Sequence, residues 1–112
     1  MKVQTQPHGN VTVLVPHGPL VTDEGMDFRH AIDDATTAKA RRVVVDLSDV
    51  PYLDSSGIGL LLELCSLHLA PQGRPKLAAL SETCREALEL TDVLPRLEVF
   101  DTVENAVRSC RQ

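Results

Sequence analysis

The sequence predicts an α/β fold: a mixed sheet of four or five strands with helices packed mainly on one face. Three observations carry this. Short β-branched runs alternate with longer stretches whose apolar residues recur every three or four positions. Val43, Val44 and Val45 are apolar without a break, as in a strand covered on both faces. Clusters of Pro, Gly and Asn punctuate the runs where the chain must turn.

The elements follow in order. Residues 11–15, VTVLV, form a strand, and residues 3–6 are its hairpin partner across the turn cluster Pro7-His8-Gly9-Asn10. Pro16-His17-Gly18-Pro19 ends the strand. A helix starts near Thr22 or Asp23, either of which can cap it, with Phe28, Ala31, Ile32 and Ala35 as its inward stripe. Gly25 weakens its first turn, and Lys39, Arg41 and Arg42 complement the dipole at its far end. Residues 42–47, RVVVDL, form the next strand. The Leu-rich segment 56–69 is a helix, anchored through Leu60, Leu61, Leu62 or Leu64. Pro71-Gln72-Gly73-Arg74-Pro75 is a loop, and residues 76–80 are a short strand. Ser81 caps a helix running to about Leu90, with Glu82 in the first turn. Residues 97–100 are the last strand. Asp101 or Thr102 then caps a final helix with Val103, Ala106, Val107 and Cys110 on one face.

The order β-β-α-β-α-β-α-β-α in 112 residues describes one domain, residues 1–112. With 43% hydrophobic and 24% charged residues, the chain can build its core without disulfide or metal. Eleven Lys and Arg against sixteen Asp and Glu give a net charge of -5, and there are one Tyr, two Phe and no Trp. That surface is ill suited to nucleic acid, which calls for basic groups and stacking rings. The longest apolar stretch, residues 58–69, is interrupted by Glu63, Ser66 and His68 and is too short and polar to span a membrane. Cys65, Cys84 and Cys110 are odd in number and lack metal-ligand spacing, as expected of reduced thiols in a cytoplasmic protein. No signal pattern opens the chain, so the sequon at Asn10 is expected to be idle.

The stretch with chemical promise is residues 43–62, VVVDLSDVPYLDSSGIGLLL. A buried strand ends, an extended link follows, and Asp54-Ser55-Ser56-Gly57 opens a helix. Ser55 or Ser56 caps it, and the free N–H groups beside the cap make an anion site. Gly57 and Gly59 leave the surface open to the close approach of another protein. The plain alternative is that this tetrapeptide is only a good helix start. The chain has no G-x-S-x-G elbow and no G-x-x-x-x-G-K-[ST] loop, and His8, His17, His30 and His68 lack the spacing of a triad or metal site. No cofactor is called for, and an enzyme is the weakest of the readings.

The segments Val43 to Val50 and Tyr52 to Leu61 closely resemble the STAS domain of bacterial anti-sigma factor antagonists. Gly18-Pro19-Leu20 stands where that family has its Gly-x-Leu turn, and Leu77, residues 87–94 and residues 100–106 fall where its later elements lie. The resemblance implies a small non-enzymatic α/β module that binds an anti-sigma factor and so frees a sigma factor. It implies that the anti-sigma factor is also an ATP-dependent serine kinase, that the serine after the motif's Asp is the phosphoacceptor, and that a phosphatase reverses the modification. On this chain the acceptor is Ser55, and Asp54, Ser56, Gly57, Gly59, Leu20 and Val21 are the motif and partner-binding positions. A monomer or weak dimer is implied. Val21 stands where the family often has Asp, Pro19 where it often has an acidic residue, and Asp92 where Gly is common. Within the same family, an unregulated scaffold subunit of a transporter or signalling complex is the alternative.

Overall fold

The computed structural model describes residues 2–22, 25–37, 42–63 and 76–110. Among them five strands form one sheet in the order β1-β2-β3-β4-β5: β1 (Lys2–His8), β2 (Val11–His17), β3 (Val43–Asp46), β4 (Lys76–Ala78) and β5 (Glu98–Phe100). The helices are α1 (Gly25–Thr37), α2 (Ser55–Glu63), α3 (Glu82–Leu90) and α4 (Val103–Cys110), with a 3-10 turn at Leu94–Arg96. β1 and β2 pair antiparallel around the turn residues Gly9 and Asn10. Every later pair is parallel, which requires a crossover between strands. The predicted mixed sheet is therefore the observed one.

The side-chain period of two sorts the core into two layers. Leu14 of β2, Val43 and Val45 of β3 and Leu77 of β4 face one side. Phe28 and Ile32 of α1, Leu60 and Leu61 of α2, and Cys84 and Leu88 of α3 cover them. Val11, Val13, Val15, Val44 and Ala78 face the other side, under Ala106, Val107 and Cys110 of α4. Three helices thus lie on one face and one on the other, and the valine run of β3 is buried from both. Burial pushes the thiols of Cys84 and Cys110 above their ordinary pKa, as expected of inert core cysteines.

Some boundaries differ from expectation. β2 runs through Pro16 and His17 instead of ending before them. Its pairing with β3 ends at Leu14, so on that side nothing asks for the N–H that Pro16 lacks. α1 is described from Gly25, Asp23 and Glu24 lie outside the described residues, and Thr22 also bonds to the start of α2, as described below. Ser81 caps α3 as predicted, its hydroxyl accepting from the Cys84 N–H at 3.2 Å. Thr102, rather than Asp101, caps α4, accepting from Asn105 N–H at 3.1 Å. Asp23, Lys39, Arg41, Leu64, Cys65 and the loop at 71–75 lie outside the described residues.

Candidate functional site

The site lies beyond the carboxyl ends of β2 and β3, where open parallel sheets commonly place their binding loops. Two segments continue side by side past the sheet. Gly18 N–H donates to Asp49 O at 3.0 Å, Leu20 N–H to Tyr52 O at 3.1 Å, and Asp54 N–H to Leu20 O at 3.2 Å. Leu20 and Leu53 form a parallel bridge, and both side chains sit in the core. Gly18 takes φ 106°, a conformation that a side chain would strain. The His17 ring bonds the Asp49 carboxylate through Nδ1 and Gln4 Oε1 through Nε2, the latter at 3.0 Å. The link from residue 47 to 54 is thereby tied to the hairpin along its length.

α2 starts where this doubled segment ends, and Asp54 is its cap. Asp54 Oδ1 accepts from the Gly57 N–H at 3.1 Å, while its carbonyl accepts the first helical bond, from Ile58 N–H, at 3.0 Å. This corrects the expectation that Ser55 or Ser56 caps the helix. A carboxylate satisfies the helix-start donors and meets the positive end of the helix dipole. Asp54 Oδ2 accepts both the N–H and the hydroxyl of Thr22, at 3.1 and 3.0 Å. These bonds, led by that from Gly57, hold the Asp54 carboxyl below its usual pKa. The anion place at this helix start is thus filled by the chain's own carboxylate.

The two serines differ. Ser56 Oγ lies 2.9 Å from Thr22 Oγ1. Ser55 is exposed, and among the described residues its hydroxyl has no hydrogen-bond partner. The two glycines differ as well. Gly57 is buried, and a Cβ there would stand 2.2 Å from the Leu20 carbonyl oxygen. Gly57 therefore seats α2 on the turn at Leu20 and does not open the surface. At Gly59 a Cβ would meet open space, as the sequence reading expected. Val21 is half-buried and Leu20 wholly buried, so Leu20 serves the site through its backbone.

Beside the serines a cleft of about 260 Å³ lies between α1 and α2, with Thr22, Ser56 and Gly59 in its wall. Arg29 of α1 reaches across to Glu63 of α2 at 2.6 Å. Met26 and Tyr52 are exposed large apolar side chains, Met26 in the cleft wall and Tyr52 on the link to α2. Sequence reasoning placed Thr22 only as a possible cap of α1. Its bonds to Asp54 and Ser56 span 32 and 34 positions, and no local pattern announces them.

Among the described residues no His, Cys, Asp or Glu cluster could hold a metal, and no helix is long and apolar enough to cross a membrane.

Solved structures share this architecture. An anti-sigma factor antagonist from Mycobacterium paratuberculosis superposes with a TM-score of 0.85 at 20% identity, covering 99% of this chain and 94% of that one. The Bacillus cell fate determinant SpoIIAA in its phosphorylated form gives 0.70 at 24% identity, covering 96% and 98%. The murine anion transporter Slc26a9 gives 0.75 at 20% identity, with 95% of this chain matching 18% of the transporter. At these identities the likeness establishes the fold. The STAS domain family model matches residues 2–106, and the chain belongs to that family.

Proposed function

We infer that this chain is an anti-sigma factor antagonist, a binding switch rather than an enzyme, turned off by phosphorylation of Ser55. The observation that carries the reading is the contrast at the start of α2. Asp54, Thr22 and Ser56 bond one another, whereas the Ser55 hydroxyl points to no partner among the described residues and is exposed. An anti-sigma factor with serine kinase activity would dock over this surface, use ATP to modify Ser55, and leave; a phosphatase would restore binding. SpoIIAA, similar in fold, has been solved in a phosphorylated form. No nucleic acid or membrane takes part, and the switch works in the cytoplasm as a monomer or weak dimer.

The energetics favour an effect on binding over an effect on folding. Phosphoserine brings about -1.5 to -2 charges at pH 7. Asp54 already occupies the N–H groups of the helix start, so the new charge stays in water on an exposed residue. A docked partner would strip that water, and an uncompensated buried charge costs several kcal/mol. A penalty of about 3 kcal/mol weakens binding roughly a hundredfold.

The test is calorimetry with a candidate anti-sigma factor that carries a serine kinase domain, followed by mass spectrometry after ATP is added. Parent and Ser55→Ala should bind alike, Ser55→Asp about a hundredfold more weakly, and only the parent should gain phosphate on Ser55. Equal binding by Ser55→Asp would refute the switch. The transporter domain's likeness in fold, with Val21 and Pro19 in place of acidic residues, favours a second reading as an unregulated scaffold. Tight binding to a partner that never phosphorylates the chain would select it.

A further inference from the structure

We propose that Thr22 is the positioning residue that selects Ser55 over Ser56 as the phosphoacceptor, by locking Ser56 into a hydroxyl chain that ends on Asp54. The proposal rests on the reading of Ser55 given above.

The two serines are adjacent in the first turn of one helix and both are exposed, so neither sequence position nor burial tells a kinase which to use. Hydrogen bonding does. Thr22 Oγ1 donates its single proton to Asp54 Oδ2 at 3.0 Å. It therefore meets Ser56 Oγ, 2.9 Å away, as an acceptor. The Ser56 proton is committed to Thr22, and its side chain is held toward the cleft between α1 and α2. Phosphoryl transfer needs the attacking oxygen in line with the γ-phosphorus and its proton free to leave. Ser56 must first break its bond and turn, whereas Ser55 has no such bond to break.

The opposite effect, in which the chain Ser56–Thr22–Asp54 activates Ser56, fails on the chemistry of its terminus. An activating base must want the proton. The Asp54 carboxylate accepts from the Gly57 N–H, the Thr22 N–H and the Thr22 hydroxyl, which satisfies it and makes it a poor base. In the transfer itself Ser55 Oγ bonds the γ-phosphorus of ATP, the bond to the bridging β–γ oxygen breaks, ADP leaves, and the hydroxyl proton passes to a base of the kinase.

Thr22 is exposed, so Thr22→Val removes the hydroxyl at constant shape while keeping the backbone N–H on Asp54. Full-length parent, Thr22→Val and Thr22→Ser are incubated with the kinase and ATP, and phosphate is localised by mass spectrometry. The Asp54 carboxyl is titrated separately by carbon NMR in unmodified protein. The parent should carry phosphate on Ser55. In Thr22→Val the ratio of Ser56 to Ser55 phosphate should rise about tenfold, the weight of one hydrogen bond. Thr22→Ser should behave as the parent in phosphate ratio and in melting, while Thr22→Val should stay folded but melt somewhat below both, having lost the hydroxyl's bonds to Asp54 and Ser56. The Asp54 midpoint should rise in Thr22→Val and stay put in Thr22→Ser. An unchanged phosphate ratio in Thr22→Val, or an unmoved midpoint, overturns the selection. Phosphate on Ser56 of the parent overturns it together with the reading of Ser55. A parent that accepts no phosphate removes both, and a midpoint that still moves then reduces Thr22 to a structural bond.

Discussion

At the start of α3, Ser81 is itself the cap: it accepts from Cys84 N–H at 3.2 Å and donates to the Pro51 carbonyl at 3.3 Å. At the start of α2 the cap is Asp54, and the serine that follows it has no such duty. Both caps serve the N–H three residues on, and both lie against the link between β3 and α2. Ser81 reaches it at Pro51, and Cys84 Sγ adds a contact to Val50 O at 3.4 Å. A serine in the cap is consumed by structure, because modifying it would strip the helix of its terminal acceptor. A serine one place after an aspartate cap costs the fold nothing when it is modified. Placing the carboxylate first relieves the next hydroxyl of capping, so the modification proposed for it would not unravel the helix that carries it.

The comparison is sharpened first at the base of α2, where the largest effects belong. Leu61 is fully buried under the sheet. Leu61→Ala should lower unfolding free energy by about 2 to 5 kcal/mol, read by denaturant titration. Next come the glycines. Gly57→Ala puts a methyl group 2.2 Å from the Leu20 carbonyl oxygen, a rigid neighbour, and overpacking of this kind costs about 1 to 3 kcal/mol. Gly59→Ala fills open space in the same helix and should gain about 0.5 to 1 kcal/mol from reduced chain entropy. Opposite signs two residues apart are the expected melting result. Equal melting temperatures would mean that α2 does not sit on the turn at Leu20.

Much of this was legible in advance. The valine run, the stripe Phe28-Ile32-Ala35 and the cap at Ser81 are local patterns, and a period or a single side chain next to its own helix reveals them. The features missed depend on what comes near from elsewhere. Gly57 looked like an opening in the surface because glycine reads alike beside solvent and beside a carbonyl, and only Leu20, far back in the chain, decides between them. Asp54 is not singled out as the cap by the sequence, because the two serines after it are equally good capping types. Its second oxygen, bound to Thr22, breaks the tie. Pro16 looked like a strand end because the sequence does not reveal where β3 stops pairing.

Replacing each cap tests the contrast more finely. Ser81→Ala removes one bond to its own helix and one to Pro51 and should cost about 1 kcal/mol. Asp54→Asn should cost more at pH 7, because its amide would present donors to the two donors of Thr22. The pH dependence has a definite sign. The Asp54 carboxyl is held below its ordinary value in the folded protein, chiefly by Gly57 N–H. Its contribution is therefore complete above the unfolded value of about 3.9 and is lost as pH falls through the lower folded value. Parent and Asp54→Asn should differ most at neutral pH and converge in acid, whereas Ser81→Ala should trail the parent by the same margin throughout. A gap for Asp54→Asn that is constant with pH would show that the carboxylate charge is not what holds the start of α2.

The smallest expected effect is at Ser55 itself. An exposed hydroxyl without a partner among the described residues adds nothing that its removal could subtract, and surface substitutions of this kind stay within about 0.5 kcal/mol. Ser55→Ala should therefore melt with the parent. Ser55→Asp adds a charge beside Asp54, whose repulsion is weakened by water, and an acidic residue in the first turn also meets the favourable end of the helix dipole, worth about 0.3 to 1 kcal/mol. The two terms oppose each other, so Ser55→Asp should also melt within about 0.5 kcal/mol of the parent. Ser56→Ala removes the bond to Thr22 and should cost slightly more than either, within the range of about 0.5 to 1.5 kcal/mol for one hydrogen bond. The ordering Ser56→Ala below Ser55→Ala in stability, measured on one denaturant scale, separates a serine held by the fold from one the fold leaves free. If Ser55→Ala proves the more damaging, Ser55 is held after all, and the case for it as the displayed acceptor loses its footing.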